Sequence, residues 1–299
     1  MKNPKHRTES RMGSGSRVFC SYAVITVLVL GSCQTPGRPP ASPCDGKLEV
    51  EPSIQAESIQ LIATNSCHVP LFIRLSFTKL ENLDPSRELP VETVIPANSE
   101  ALLLRLEVRD PYKRSNYAPT TLVRIGGPSA IHDDSIEYLY PFGGSAPRKL
   151  AQGVDGGITH TGNHRYAFDF GMPIGTPVLA ARSGVVFKVK DGFPEGGFSK
   201  KYFSSWNQVV ILHEDNTFST YGHLRAGIIV EEGQLVSARD LLGYSGNSGY
   251  SKGPHLHFHV SIRKDDGPSR TIPISFQGGV VPVKGELYGP TRQDGRVTD

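Results

Sequence analysis

The sequence predicts an all-β protein whose strands are mainly antiparallel. Of its 299 residues, 32 are glycine and 23 are proline, a content that favours turns between strands over long helices. Apolar residues fall in short runs, and some of these alternate with polar residues, as in residues 48–51 (LEVE). No segment shows sustained helical periodicity. We therefore expect a small β-sandwich followed by a second β-sheet domain.

The first 32 residues have the features of an export signal. They carry five basic residues and one acidic residue, and an apolar run spans residues 18–30. This run is too short to cross a bilayer, which needs ~20 residues, but it fits the apolar core of a secretory signal. It ends in Leu30-Gly31-Ser32-Cys33, which resembles a bacterial lipobox, so we expect Cys33 to carry lipid. The alternative is an ordinary signal peptide that ends near a cysteine.

The charge distribution and the next segment agree with export to the cell envelope. Removal of residues 1–32, with their net charge of +4, leaves a chain with a net charge of −1 and no basic run, which argues against nucleic-acid binding. Residues 33–46 are rich in proline and glycine and are typical of a tether. Two or more acyl chains would anchor the protein stably to a membrane. The residue after Cys33 is Gln34 and not Asp, which resembles the signal that sorts a lipoprotein to the outer membrane. In a double-membraned bacterium the protein would therefore face the periplasm.

The rest of the chain divides into two predicted domains. Short strands separated by Asn, Pro and Ser clusters predict the β-sandwich over residues 47–126. Cys44 and Cys67 are the two cysteines left for the mature fold, and they form either a disulfide or two free thiols. We expect a linker over residues 127–145, the second domain over residues 146–275 and a C-terminal tail over residues 276–299.

Histidines are concentrated in the second domain. Seven of the ten histidines lie between residues 160 and 259. Because side chains alternate along a strand, His255, His257 and His259 share one face, while Leu256 and Phe258 point to the other. Imidazoles placed two residues apart can point at one metal ion, and zinc commonly takes histidine nitrogen as a ligand.

Four motifs together resemble the lysostaphin-type zinc metalloendopeptidases, which cut peptide bonds in bacterial peptidoglycan. In chain order they are residues 160–171 (HTGNHRYAFDFG), 175–178 (GTPV), 221–224 (YGHL) and 253–258 (GPHLHF). The resemblance covers about residues 150–265. It implies a β-sheet peptidase domain that holds one zinc ion per chain and has peptidoglycan as its substrate.

The resemblance also implies a role for each matching residue. Asp169 and His257 match two zinc ligands, and three protein ligands leave the open position that a catalytic zinc needs. His255 matches the catalytic histidine that accepts a proton from the metal-bound water, the nucleophile. His223 matches the histidine that assists it and stabilises the oxyanion.

The remaining zinc ligand does not follow the spacing that is commoner in the family. That spacing would place a histidine four residues before Asp169, where this chain has Arg165. His160 and His164 are the two candidates. We favour His160 because the order of residues from His160 to Asp169 resembles a branch of the family with a longer loop, in which the histidine stands at the start. Asn207 and Tyr221 are expected beside the substrate groove. His213 is expected to be exposed at a hairpin turn.

These features predict an exported, lipid-anchored zinc endopeptidase that hydrolyses peptidoglycan. The alternative is a catalytically inactive envelope lipoprotein that binds or activates other cell-wall hydrolases, since the family includes members that have lost ligands. A structural lipoprotein that needs no zinc is a third hypothesis. A regulatory protein partner is compatible with the first two. The sequence does not distinguish a glycine bridge from a D-Ala cross-link to a diamino acid or from a stem peptide as the bond that is cut.

Overall fold

The computed structural model describes Cys44 and residues 47–55, 57–157, 159–263 and 269–289. The predicted export signal, Cys33 and the rest of the tether lie outside the described residues. Among the residues described, no helix has the length and hydrophobicity that a bilayer crossing requires.

Seven strands form two facing sheets in the first part of the chain. One sheet has the strand order β1-β2-β6-β4 and the other the order β5-β3-β7, with antiparallel pairing throughout. Apolar side chains from both sheets, including Leu61, Ile73 and Leu104, fill one core. The strands are β1 (Leu48–Ile54), β2 (Ser58–Asn65), β3 (Leu71–Glu81), β4 (Leu83–Pro85), β5 (Val91–Ile95), β6 (Ser99–Val108) and β7 (Asn116–Ile125).

A disulfide joins Cys44 to Cys67 at the edge of this sandwich. Their Cα atoms are 5.3 Å apart, which is the usual separation for bridged cysteines. Both residues are buried in the sandwich core. The bridge therefore ties the start of the described chain to the loop that follows β2.

Most of the remaining described strands build one large twisted sheet. Its order is β15-β12-β13-β14-β17-β10-β9-β20, with β18 beside β17. Strands β11 and β16 form a separate antiparallel pair, whereas β19 and β8 pair in parallel. The strands are β8 (Glu137–Tyr138), β9 (Arg148–Gln152), β10 (Ala167–Gly171), β11 (Pro177–Leu179), β12 (Gly184–Lys190), β13 (Asn207–Leu212), β14 (Phe218–Leu224), β15 (Leu235–Val236), β16 (Leu241–Tyr244), β17 (His255–Ile262), β18 (Arg270–Thr271), β19 (Ser275–Phe276) and β20 (Leu287–Tyr288). Gly162–His164 and Lys200–Tyr202 form short 3-10 helices. The prediction of a mainly antiparallel all-β fold is confirmed.

Aromatic side chains fill the core on one face of the large sheet. Tyr138, Tyr140 and Phe142 are buried there, although the sequence predicts a linker over residues 127–145. Phe276, at the start of the predicted tail, is fully buried and stacks on Tyr140 with ring centroids 4.9 Å apart. The aromatic part of the linker and the beginning of the tail thus belong to this core, because burying such rings removes a large apolar area from water.

The sandwich packs against the opposite face of the large sheet. Phe187, Leu212 and Phe218, from strands β12 to β14, are buried within the sandwich core. The Nε2 atom of His68 lies 2.9 Å from the carbonyl oxygen of Phe187, a hydrogen bond between the two halves. One apolar cluster therefore runs across the boundary between the two predicted domains.

The pairing of β14 with β17 shows that the sandwich contacts the sheet face on which the side chain of His257 lies. Phe218 lies opposite Ser261, and Gly222 lies opposite His257. Side chains alternate, so Phe218 shares a face with the side chain of His257. Four residues of strand separate Phe218 from Gly222, a distance of about 13 Å. The sandwich thus covers one end of this face, and the histidine cluster occupies the other.

Candidate metal centre and catalytic site

Two neighbouring strands bring Asp169 and His257 together. Strand β10 pairs with β17 so that Asp169 lies directly opposite His257. The Nδ1 atom of His257 is 2.8 Å from Oδ1 of Asp169. Both side chains are about one-seventh exposed, at 14% each, so the pair sits at the bottom of a cleft rather than on an open surface.

His160 reaches the same carboxylate from the loop before β10. Its Nδ1 donates a hydrogen bond to the carbonyl oxygen of Gly153 at 3.0 Å. Its Nε2 lies 3.2 Å from Oδ1 of Asp169 and is buried without a hydrogen-bond partner. One donor atom from each of His160, Asp169 and His257 lies within 4.8 Å of the others.

In the deprotonated state that binds a metal, these three atoms present lone pairs to the same point. A neutral imidazole that donates from Nδ1 has no proton on Nε2, so Nε2 of His160 faces the carboxylate as an acceptor. Acceptors held this close repel one another unless a cation lies between them. Two imidazole nitrogens and one carboxylate oxygen are a donor set that zinc takes in catalytic sites. The residues present therefore fit a zinc ion.

The titration of the cluster also favours a positive charge at this point. Burial opposes ionisation of Asp169, but its interactions with His160 and His257 outweigh burial and lower the pKa of its carboxyl group below the usual range. Burial likewise opposes a charged His160, yet the Asp169 carboxylate raises the pKa of that ring above its usual value.

His164 is the other candidate for the third ligand, and it does not join the cluster. Its ring packs against His259, with centroids 6.2 Å apart. Burial lowers the pKa of His164. Of the two candidates, the structure brings His160 to Asp169, and its role as a ligand stays a prediction.

His255 and His223 stand side by side next to the cluster. Their ring centroids are 4.5 Å apart, and Nε2 of His255 is 3.7 Å from Oδ1 of Asp169. Burial lowers the pKa of both rings, that of His223 to about 3. The two rings are therefore neutral at neutral pH.

Backbone carbonyl groups fix the tautomer of these two rings. Nδ1 of His255 lies 2.8 Å from the carbonyl oxygen of Gly253, and Nδ1 of His223 lies 2.7 Å from that of Ser248. A carbonyl oxygen only accepts, so each Nδ1 carries the proton and each Nε2 is left as an acceptor. Both rings are thereby set up to accept a proton.

The backbone of His223 is in an uncommon conformation. Its φ is +59°, in the left-handed region that residues other than glycine seldom adopt. Such conformations persist only where surrounding contacts hold them, and they are frequent at functional sites. The hydrogen bond to Ser248 is one such contact, and it turns the ring toward His255.

Trp206, the single tryptophan of the chain, packs against this group of histidines. Its ring lies 5.2 Å from His223 and 6.1 Å from His257, measured between centroids. It occupies space over Gly222, where an added Cβ would fall 2.2 Å from the indole ring. Sequence reasoning left the role of Trp206 open. The glycine inside the YGHL strand was the available signal, since a strand glycine often marks a close approach.

Asn207 and Tyr221, predicted beside the groove, are both fully buried. The ring of Tyr221 packs in the aromatic core against Phe258, and its hydroxyl oxygen accepts a hydrogen bond from the backbone of Ala181. The side-chain amide of Asn207 donates to the carbonyl oxygens of Phe193 and Leu224. The prediction of a position beside the groove is therefore wrong for Tyr221. Asn207 is also buried, and its hydrogen bonds connect the backbone at Phe193 to the backbone at Leu224.

His213 is buried rather than exposed at its turn. Its Nδ1 donates to the carbonyl oxygen of Ser183 at 2.8 Å, and its Nε2 lies 2.9 Å from the hydroxyl of Ser219. Burial lowers the pKa of this ring to about 4. The acidic residues that follow His213 in the sequence suggest an exposed side chain. Its hydrogen bonds with the Ser183 carbonyl and the Ser219 hydroxyl hold the ring inside the protein instead.

Comparison with known proteins matches the region that carries this site. Residues 163–269 match Peptidase family M23. The match includes Asp169, His223, His255 and His257 and begins after His160. The matched residues are about a third of the chain.

Several curated proteins are similar to part of this chain. A peptidoglycan DD-endopeptidase of Vibrio cholerae, ShyA, is 38% identical over 117 residues, which is 39% of this chain and 24% of that protein. An uncharacterised metalloprotease of Buchnera aphidicola is 38% identical over 107 residues, 36% of this chain and 26% of that protein. Lysostaphin of Staphylococcus simulans is 33% identical over 152 residues, 50% of this chain and 27% of that protein. The similarity thus spans about a quarter of the length of these relatives.

Two solved structures are similar as well. The catalytic domain of the prophage-encoded M23 protein EnpA from Enterococcus faecalis is 28% identical, with 46% of this chain and 95% of that chain covered and a TM-score of 0.34. The catalytic domain of lysostaphin from Staphylococcus simulans is 29% identical, with 44% and 86% covered and a TM-score of 0.29.

Proposed function

We propose that this protein is a zinc-dependent endopeptidase that hydrolyses peptide bonds in bacterial peptidoglycan. One observation carries the proposal. Three acceptor atoms, from His160, Asp169 and His257, converge within 4.8 Å, and two neutral histidines with free Nε2 atoms stand beside them. A cation and two bases in one cleft are the parts that metal-assisted hydrolysis requires.

His160, Asp169 and His257 would hold the zinc ion as three protein ligands. When bound, zinc lowers the pKa of water at its open position to about 7 and polarises a carbonyl group as a Lewis acid. Two imidazoles and one carboxylate leave the centre with a net positive charge. That charge favours the loss of a proton from water.

His255 acts as the general base. Its Nε2 lies 3.7 Å from Oδ1 of the Asp169 carboxylate. The hydrogen bond from Nδ1 to the Gly253 carbonyl holds the ring in the tautomer that accepts a proton at Nε2. After cleavage, the same nitrogen returns that proton to the leaving amine.

His223 has a role that depends on its protonation state. Since Nδ1 donates to the carbonyl of Ser248, the neutral ring has no second N–H to donate. The oxyanion role that the resemblance implies therefore requires His223 to gain a proton first. Its ring lies against that of His255, at 4.5 Å between ring centroids, which places His223 beside the base that accepts the proton.

Peptidoglycan is the substrate that the comparisons support. ShyA is described as a peptidoglycan DD-endopeptidase and is 38% identical to this chain over 117 residues, and the site residues Asp169, His223, His255 and His257 lie in the stretch that matches Peptidase family M23. The activity and the substrate of the full protein are inferred from that shared region.

Digestion of purified peptidoglycan tests the proposal. The zinc-loaded full chain should release new amino groups, and the His255→Ala variant should bind zinc but release far fewer. Comparable release by the two proteins would remove His255 from the mechanism. No release by the wild type, with zinc bound, would reject the enzymatic function and leave the hydrolase-binding alternative.

We also propose that Cys33 anchors the mature protein by lipid to the cell envelope. The sequence of the export signal supports this placement. In fractionated cells, wild-type protein should sediment with membranes, and the Cys33→Ala variant should appear in the soluble fraction or remain unprocessed. Membrane association and processing unchanged by the substitution would reject lipidation at this residue.

A further inference from the structure

A pocket of about 350 Å³ opens next to the catalytic histidines. Ser248 lines it, and the carbonyl of this residue is the one that holds His223. Leu224, the residue after His223, also lines the pocket. Ligand pockets of proteins have volumes from about 300 Å³ upward. The pocket is therefore large enough for one amino-acid residue of a substrate, and Ser248 links its wall to His223.

The pocket carries one cation and one anion. Arg225 and Glu195 both line it, and within the described chain no ion pair joins them. The guanidinium of Arg225 lies over the ring of Tyr244, 5.0 Å from its centroid. Glu195 accepts a hydrogen bond from the hydroxyl of Tyr202 at 3.3 Å. Tyr244 thus orients Arg225, and Tyr202 orients Glu195. The ammonium group of Lys201 also acts on Glu195 through space.

Asn247 adds a polar atom that lacks a partner. Its Oδ1 is buried and accepts no hydrogen bond from the protein, although the residue lines the pocket. A buried acceptor without a donor costs on the order of 1–3 kcal/mol. A ligand that brings an N–H or ammonium group into the pocket would remove that cost.

We propose that this pocket binds a zwitterionic amino-acid centre, a carbon that carries both a free ammonium group and a free carboxylate. Arg225 pairs with the carboxylate through its planar fork. Glu195 pairs with the ammonium group, which also donates to Oδ1 of Asn247. The inference rests on the proposed function and deepens it, because it names the part of the substrate that is read beside the scissile bond.

In peptidoglycan, a stem peptide provides such a centre when its diamino acid is a dicarboxylic acid whose second amino group is free. Meso-diaminopimelate has this chemistry, whereas lysine has the ammonium group without the carboxylate. A glycine bridge has neither charge. A lysine would leave Arg225 without a carboxylate partner, and a glycine bridge would leave both charges without one, so the pocket favours the zwitterionic centre over either.

Calorimetry with three soluble peptides tests the inference. The probes are L-Ala-γ-D-Glu-meso-diaminopimelate, its lysine counterpart, and the diaminopimelate peptide with its distal amine acetylated. The protein is the zinc-loaded full chain with His255→Ala, which prevents turnover. We expect the first probe to bind at least about tenfold more tightly than the other two, a difference of about 1.4 kcal/mol.

Two substitutions and a control assign the effect to the pocket. Arg225→Gln should remove the preference over the lysine peptide, and Glu195→Gln should remove the preference over the acetylated peptide. Arg114→Gln removes one exposed charge in the sandwich and should change neither preference. Equal affinity for the three probes, or a preference that persists in Arg225→Gln, would overturn the inference.

Binding and cleavage separate this inference from the proposed function. If peptidoglycan is cleaved but the three probes bind equally, the pocket assignment fails and the enzyme assignment stands. If the probes are discriminated but peptidoglycan is not cleaved by the wild type, the pocket assignment stands and the enzyme assignment fails.

Discussion

The Nε2 atom of His257 lies 3.0 Å from Nδ1 of His259, two residues along the same strand. The other ring nitrogen of His257, Nδ1, lies 2.8 Å from Oδ1 of Asp169. With a zinc ion held at Nδ1, the proton of His257 would be on Nε2 and would be donated to His259. His259 is buried, and burial lowers its pKa well below the usual value, which keeps its Nδ1 available as an acceptor. This contact decides which nitrogen of His257 faces the metal position.

Replacing His259 should weaken zinc binding although His259 is not a predicted ligand. Partners of this kind typically contribute 10- to 100-fold, that is about 1.4–2.7 kcal/mol, to metal affinity. We expect His259→Leu to lose zinc affinity in this range, as measured by competition with a chromophoric chelator. His259→Gln, which retains an acceptor, should recover part of it. An unchanged affinity in the leucine variant would show that the contact has no part in holding His257.

The two candidates for the third ligand should respond differently to alanine. His160→Ala should purify without a stoichiometric zinc ion, because it removes one of three converging donor atoms. His164→Ala should retain zinc, since its ring packs against His259 outside the cluster. Zinc content by atomic emission, with circular dichroism as a check on folding, gives the result. Zinc loss in His164→Ala alone would reverse the assignment.

Gly222→Ala should displace the indole ring of Trp206. The new Cβ would fall 2.2 Å from that ring, which no van der Waals contact permits. Since Trp206 is the single tryptophan, a shift in its fluorescence emission reports the displacement, and peptidoglycan cleavage should fall with it. Gly243→Ala, where the new atom meets its nearest neighbour at 3.7 Å, is the control. Identical spectra for both variants and the wild type would contradict the packing described.

Acidification should destabilise the fold through His213. Its pKa is about 4 in the folded chain against an ordinary 6.5, so the unfolded chain binds more protons between these values. Stability from this residue is complete above pH 6.5 and decreases as pH falls toward 4, by about 3 kcal/mol in total. Urea unfolding should show a shallower pH dependence in His213→Gln than in the wild type. Parallel pH dependences for the two proteins would exclude the effect.

Phe187 joins the two halves of the protein, and its truncation should destabilise both. It is buried, at 6% exposure, among sandwich residues, and removal of a buried phenylalanine ring costs about 3–5 kcal/mol. Phe187→Ala should therefore lower the urea midpoint clearly. Phe203→Ala, at a ring that is 57% exposed, should change it little. A similar midpoint for the two variants would mean that the sandwich docks without a shared core.

Much of the fold follows from local patterns in the sequence. Alternating apolar runs and turn residues predict strands, because a half-buried strand needs a period of two. The strand that carries His255 and His257 was predicted with the correct face, since alternation alone places these rings together. The pairing of Asp169 with His257 across β10 and β17 was implied by family resemblance and not by any local rule.

Other features depend on long-range packing that local patterns do not report. Tyr140 and Phe276 lie in segments with the composition of a linker and a tail, yet they stack on each other in the core. Tyr221 lies beside catalytic motifs but points to the opposite sheet face from them. The sandwich covers one end of the histidine face because the register of β14 directs Phe218 to that face, where it is buried in the sandwich core. This register becomes evident only when the strands are paired.

A zinc titration coupled to peptidoglycan digestion tests the central claim most directly. Full-length protein freed of metal by a chelator receives zinc in increments, and the release of new amino groups is measured after each addition. The proposed function predicts no release without zinc, a linear increase up to one zinc ion per chain, and a plateau beyond it, with no increase for His160→Ala. Release by the zinc-free protein, or none at one equivalent of bound zinc, would contradict it.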